Sequence, residues 1–392
     1  MSMSITTSLR PAICTGLVVC AGLRAEAQAN GIYADFTTSM GSFTCRLEYA
    51  IAPKAVANFI GLATGQRPWL DLRTGAVRSN AFYEGLTFHR VIPAFMIQGG
   101  SPNGLGTDGP GYVFPDEISP ALQFDGPGML AMANSGTNSN GAQFFVTVTN
   151  TAWLNHGYTI FGVLVGGSNV VNAIDRVATD ANNKPLADVV LQHVGIRRVG
   201  AAAQAFDIHT ANLPAVNRSP LRIASGNGHA TLTFTNQLYA ANHLFASTNL
   251  TTWADLDLGI EVTPPFANVA TRPTTLPREF FRFAQVLYPS STFAPRSLVG
   301  RTLTLRFTNG LTVTIAFNAS GAGTYTLSAG PPGVVTGYTW NQAPYRGLLW
   351  PVYFSGLVPM TLKLDFAEAT SGAFSGTAYT SPASSVSGTF AL

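Results

Sequence analysis

Arg90 sits in the run GLTFHRVIPAFMIQGG, residues 85–100, which otherwise has the character of a buried segment. Strand period two puts Phe88 and Arg90 on one face. A charge on a largely apolar surface is costly unless it is paired or faces a cleft. Two readings follow: a satisfied structural ion pair, or a guanidinium offered to a ligand in an apolar groove. Other chemistries find little support. There is no G-x-S-x-G and no H-E-x-x-H, and the six histidines are scattered, with none paired at metal-ligand spacing. The run GLGTDG at 104–109 matches G-x-G-x-x-G. Pro110 and Gly111 follow it, where a dinucleotide site needs a helix N-terminus, so it reads as a glycine loop. Cys45 shares a strand face with Phe43, Leu47 and Tyr49. That suits core packing, whereas a catalytic thiol needs exposure and an activating partner.

Arg90 has company in order along the chain. FHRVIPAFMIQGG is followed by GPGMLAMANSGTNSNGAQFFVT at 126–147 and TAWLNHGYTIFG at 151–162, and is preceded by APKAVANFIGLA. Together these segments resemble the cyclophilins, the barrel-type peptidyl-prolyl isomerases, over residues 30–198. By that resemblance Arg90 matches the catalytic arginine. Phe95 and Met96 match the wall of the proline pocket, and Gln98 the polar partner beside the arginine. Ala133 and Asn134 match positions that meet the substrate backbone. Gln143 matches a polar floor residue, Phe145 the pocket base, and Trp153 and Leu154 the pocket rim. Tyr158 stands where many eukaryotic members carry a histidine, so the chain looks more like the bacterial branch; His156, two residues away, is not the aligned position. The segment TGQRPWLDLRTGAVRSN, residues 64–80, is longer than the minimal family core and reads as a surface insertion able to shape the groove.

The resemblance implies a peptidyl-prolyl cis-trans isomerase acting on X–Pro bonds, with no cofactor and no metal. Its partners would be proline-containing unfolded or flexible polypeptides. The alternative is a non-catalytic protein that holds proline peptides in the same groove or adheres to a surface, its C-terminal β modules taking a glycan or protein partner. An intact Arg90 favours the enzyme. A carbohydrate-active C-terminal part lacks a recognisable acid pair.

The elements that must position these residues are mostly strands. GIYADFTTSMGSFTCRLEY reads as a hairpin turning near Met40-Gly41. APKAVANFIGLATG reads as a helix with Pro53 in its first turn and Gly65 at its stop. SNVVNAIDRVATD reads as a second helix, capped by Ser168. The predicted class is mainly β: a cyclophilin-like closed eight-stranded β-barrel with two capping helices, followed by one or two all-β modules, sandwich or small barrel. The boundaries read as an isomerase domain at 30–200, a linker at 201–229, a small β module at 230–292 and an antiparallel meander or barrel at 297–392. Within the last, RTLTLRFTNGLTVTIAF is a hairpin signal with Asn309-Gly310 as a two-residue turn.

Of the 392 residues, 46% are hydrophobic and only 10% charged, with a net charge of +3. No Lys/Arg-rich block occurs, which argues against a nucleic-acid partner. At the N-terminus Arg10 is followed by a short apolar core, Pro11–Leu23, and by small-x-small sites ending at Ala27 and Ala29. This is the pattern of a cleaved signal peptide, residues 1–29, on a periplasmic or extracellular protein. The apolar run is well short of the ~20 residues that span a bilayer, so stable membrane insertion is not expected. Cys20 follows Val19, too bulky for the usual lipid-attachment pattern. Of three cysteines, Cys14 and Cys20 would be removed and Cys45 kept, leaving no intramolecular disulfide. Asn217, Asn249 and Asn318 carry N-x-S/T, meaningful only in a eukaryotic secretory pathway.

Overall fold

The computed structural model describes residues 29–392, apart from 227–228, 236, 238–239, 257–259, 262–266, 274–277, 290–293, 296, 344, 369 and 381. The expected signal peptide therefore lies outside the described residues, save Ala29.

Apolar alternation in the first half of the chain produces a nine-stranded sheet. Its order is Leu86–Thr87, Val190–Val199, Gly31–Thr38, Gly41–Leu47, Ile160–Gly166, Met129–Met132, Phe144–Thr147, Met96–Gly99 and Arg90–Ile92. The two end strands are halves of one segment bent at Phe88-His89. The sheet is therefore closed through the chain itself, and its nine strands act as the eight staves of a barrel. Phe36, Phe43, Phe59, Phe88, Phe144 and Phe161 fill the interior. Phe36 stacks on Phe43 with ring centres 4.5 Å apart. Cys45 is wholly buried in this core, where burial pushes its thiol far up and keeps it unreactive.

The bend corrects one expectation. Phe88 faces the barrel core while Arg90 is exposed on the outside, so the two do not share a face. Period two fails because the strand is interrupted between them.

The helix Pro53–Ala63 forms as its apolar stripe and Pro53 predict, and is buried along nearly its whole length. Its N-cap is Ala52, which has no side-chain acceptor. Glu117 serves instead, accepting the amides of Lys54 at 3.0 Å and Ala55 at 2.9 Å. The second helix is Ser168–Asp175. Ser168 is its first helical residue rather than its cap. Gly167 caps it at φ 77, where a Cβ would lie 2.5 Å from the Ser42 carbonyl oxygen. A third short helix, Ala201–Ala205, and a 3-10 turn, Ala152–Leu154, add to the two helices expected.

Beyond residue 200 the chain is β-rich. The stretch 201–229, expected as a linker, carries a short helix and strands in its described part, with most side chains exposed and Ala203, Ile208 and Val216 buried. Ala203 and Ile208 join the barrel's core cluster. Ala215–Arg218 pairs with Phe280–Leu287, and Leu221–Gly226 pairs with His229–Thr235. Weak periodicity hid Ala215–Arg218 and Leu221–Gly226, which are short and largely exposed, whereas the alternation of their partners His229–Thr235 and Phe280–Leu287 reads as strand. Two sheets result. Leu232 and Phe234 of one meet Leu244 and Phe283 of the other, forming a small sandwich.

From Thr302 to Ala391 eight strands pair each with the next, and the last with the first, in a closed antiparallel barrel. Leu303, Leu305, Ile315, Leu349, Leu362, Phe374 and Phe390 fill its centre. The hairpin at Asn309-Gly310 has a three-residue loop, not a two-residue turn: the Phe307 amide donates to the Leu311 carbonyl at 2.8 Å and Gly310 takes φ 88.

The insertion at 64–80 is not a free surface loop. Trp69–Asp71 and Ala76–Arg78 form a hairpin, and Trp69, Leu70 and Asp71 are buried. Leu70 and Tyr112 of the isomerase unit cluster with Val216, Phe245 and Val286 of the sandwich and Tyr345 of the second barrel. Apolar residues that looked available to solvent are covered by the next module.

Candidate active site

Register carries the site residues into one row. Arg90 lies opposite Gln98, Gln98 opposite Phe145, and Phe145 opposite Ala131. Strand alternation sends their neighbours Val91, Ile97, Phe144 and Leu130 into the barrel and leaves this row on the outer surface.

On that surface a second apolar cluster lies apart from the barrel interior. Met96 and Phe145, 2% and 4% exposed, form its floor with Phe124, Ala131 and Ile160. Phe95, Ala133, Leu154 and Tyr158 pack around it, half-buried. Phe124 lies nearly parallel to Phe145, ring centres 5.9 Å apart, and Tyr158 meets Phe145 edge-on at 5.5 Å. Trp153, 70% exposed, stands at the rim, 5.7 Å from Phe95. Wall, floor and rim residues named from the sequence are thus brought together. Phe124, Met129 and Ile160 were missed. Ile160 and Met129 carry the strand alternation that could have found them, whereas Phe124 sits in a loop with no periodic signal.

Beside the cluster runs a polar chain. Arg90 Nη1 donates to Gln98 Oε1 at 3.3 Å, and Gln98 Nε2 donates to Gln143 Oε1 at 3.0 Å. Gln143 Nε2 donates to the carbonyls of Gly106 at 3.0 Å and Asp108 at 2.9 Å. The glycine loop therefore anchors the amides that orient the arginine, and no helix follows it. Arg90 makes no ion pair with any described residue, so its charge is presented at the groove rather than neutralised inside. Burial holds the neighbouring His89 imidazole below its ordinary range, keeping it neutral beside the guanidinium. Asn134 Nδ2 donates to the Gly157 carbonyl at 2.9 Å, and the Ala133 amide donates to the Gln143 carbonyl at 2.9 Å, so both border the same groove. His156 is an exposed turn residue at φ 67. Among the described residues no group of three or more His, Cys, Asp or Glu is placed to hold a metal.

A barrel with an arginine beside an external apolar hollow defines the class of the protein. The family model "Cyclophilin type peptidyl-prolyl cis-trans isomerase/CLD" matches residues 33–196. Peptidyl-prolyl cis-trans isomerase B of Streptomyces anulatus is 50% identical over 169 residues, 42% of this chain and 97% of that protein. Peptidyl-prolyl cis-trans isomerase A of Mycobacterium tuberculosis is 48% identical over 161 residues, 41% of this chain and 88% of that protein. A solved cyclophilin-type isomerase of Cryptosporidium parvum is 32% identical, with a TM-score of 0.38, covering 43% of this chain and 98% of that one. The chain belongs to the cyclophilin-type peptidyl-prolyl cis-trans isomerase family. It is a peptidyl-prolyl cis-trans isomerase carrying additional β-rich regions beyond that domain.

Proposed function

We propose that Arg90 catalyses rotation about X–Pro bonds of exported or envelope proteins, the proline ring being held in the hollow of Phe95, Met96, Phe145 and Leu154. Unaided, such a bond isomerises in tens to hundreds of seconds. The barrier, ~18–20 kcal/mol, is the amide resonance lost as C–N twists. No bond breaks, so neither a nucleophile nor a metal is required by the chemistry. As resonance fades, the proline nitrogen regains a basic lone pair. A guanidinium donating to it favours the twisted state over the planar one, which is differential transition-state binding. Arg90 is suited because it stays charged and offers donors in a fixed plane. The apolar cluster beside it excludes water, strengthening that hydrogen bond. Gln98 orients the guanidinium, and Ala133 and Asn134 hold the client backbone. Gln143 fixes Gln98, while Trp153 and Tyr158 close the rim.

The observation that carries this reading is the row Arg90–Gln98–Phe145, with an unneutralised charge at one end and a sealed ring at the other. The test is proline-peptide isomerisation by the full chain. Arg90→Ala should lower kcat/KM by about 10²–10³-fold, the scale of removing one preorganised donor. Equal rates for wild type and variant would refute the assignment.

Export is supported by the charge and apolar pattern of residues 1–29. We propose residues 30–200 as the isomerase domain, with the β-rich remainder serving as client- or surface-binding modules.

A further inference from the structure

The loop that carries Ala133 and Asn134 is fastened from outside the isomerase unit. It runs from these two residues, at the groove, to Asn140, which is fully buried. Residues 135–137 form an exposed turn, yet Asn138 just after them is only 6% exposed. Asn138 takes φ 57, a left-handed angle that asparagine tolerates better than most side chains. Its amide donates to Asp116 Oδ2 at 2.8 Å, and its Oδ1 accepts the Asp116 amide at 2.9 Å. Its Nδ2 donates to the carbonyl of Phe366. Phe366 belongs to the second barrel, in the strand Met360–Glu368. The pairing of that strand with Arg346–Phe354 stops where Asp365 lies opposite Arg346. Just past that point the Phe366 amide still reaches the Tyr345 carbonyl, at 2.9 Å. The Phe366 carbonyl on the same side lies beyond the ladder, and Asn138 of the isomerase unit satisfies it.

The junction is negative on both sides. Burial pushes the Asp116 carboxyl up, and the charge of Asp365 from the barrel adds to that push. Donation from the Asn138 amide and from Asn140 Nδ2, at 2.8 Å, opposes it. Asp365 is itself paired with Lys363 at 3.3 Å. An uncharged side chain with one donor end and one acceptor end suits this place, whereas another carboxylate does not.

We propose that the second barrel positions the client-binding loop, with Asn138 as the positioning residue. The Phe366 carbonyl holds the loop in the form in which Ala133 and Asn134 meet the client backbone. The barrel thereby raises affinity for the client without touching it. Coupling of this kind is reciprocal, so a bound client must in turn tighten the contact at Phe366. This rests on the isomerase reading of the groove, in which Ala133 and Asn134 hold the client.

The full chain is tested by proline-peptide isomerisation and by hydrogen exchange with and without the peptide. Asn138→Gly suits the left-handed backbone and removes both side-chain bonds. It should raise KM about five- to tenfold, the lower range of couplings between sites, and leave kcat within about twofold of wild type. Asn138→Asp keeps the acceptor for the Asp116 amide but loses the donor to Phe366, and should raise KM at least as far. In the wild type a saturating proline peptide should slow amide exchange along Met360–Glu368, none of whose residues lines the hollow. In Asn138→Gly that slowing should vanish. An Asn138→Asp variant with wild-type KM, or barrel exchange indifferent to the peptide in wild type, would overturn the positioning role. Failure of the underlying reading looks different: Arg90→Ala would then isomerise every peptide as the wild type does.

Discussion

Arginine at position 90 contributes geometry as well as charge. Its Nη1 donates to Gln98, and in the proposed mechanism the rest of the guanidinium plane serves the client. Lysine would keep the positive charge but lose the planar fork, and its compact ammonium would be free to rotate out of register. Arg90→Lys should therefore retain client binding yet lose most of its turnover: KM within about threefold of wild type and kcat down by about 10²-fold, a loss of ~2.7 kcal/mol in transition-state stabilisation. Steady-state isomerisation kinetics across a substrate series separate the two constants. Full activity in the lysine variant would mean that charge alone suffices. The apolar side of the site obeys a different logic. Met96 and Phe145 belong to strands whose other faces fill the barrel, so the hollow inherits its rigidity from the core beneath it.

Among the elements, the hairpin of Trp69–Asp71 and Ala76–Arg78 departs furthest from a surface insertion. Asp71 is buried and bridged by Arg73 at 3.3 Å and Arg78 at 3.0 Å. Burial pushes its carboxyl up, but the Thr74 hydroxyl, with the charge and hydrogen bonds of Arg73 and Arg78, prevails and holds it below its ordinary range. A carboxyl lowered on folding binds fewer protons folded than unfolded, so its stabilisation is complete above the unfolded value of about 3.9. It is lost as pH falls through the lowered folded value. Asp71→Asn should cost about 1–3 kcal/mol at pH 7, the scale of lost hydrogen bonds to charged groups. The gap between wild type and variant in urea melts should close as pH drops below about 4. A gap that stays constant from neutral to acid would rule out the ionised carboxylate as its source.

Over the whole molecule, three β-rich units are joined by one apolar cluster containing Leu70, Tyr112, Phe245 and Tyr345. Gly75, at φ 65, lets the hairpin tip approach Phe245 so closely that a Cβ would lie 2.4 Å from the ring. Phe245→Ala should cost about 3–5 kcal/mol, the range for emptying a buried aromatic site. In calorimetry it should split the isomerase barrel from the sandwich into separate transitions; an unchanged melting profile would show that they are not coupled there. The second barrel has the reverse of a membrane barrel's pattern. Its apolar residues point inward and its Thr and Arg side chains outward, as Leu303 and Leu305 against Thr302 and Arg306 show. Among the described residues no helix is long and apolar enough to cross a membrane.

Local residue order determined much of this protein. Alternation and turn residues specify the hairpins, an apolar stripe after Pro53 specifies the first helix, and the contiguous motifs around Arg90, Asn134 and Phe145 identify the family, because each signal is carried within a few residues. What tertiary structure alone decided is everything that depends on contacts distant in sequence: the bend that turns Phe88 inward and Arg90 outward, the arrival of Phe124 beneath Phe145, and the packing of the 64–80 hairpin. It also decided that Phe366, remote in sequence from every motif, meets the loop that carries Asn134. Periodicity reports which face of an element is apolar; only packing determines what covers it.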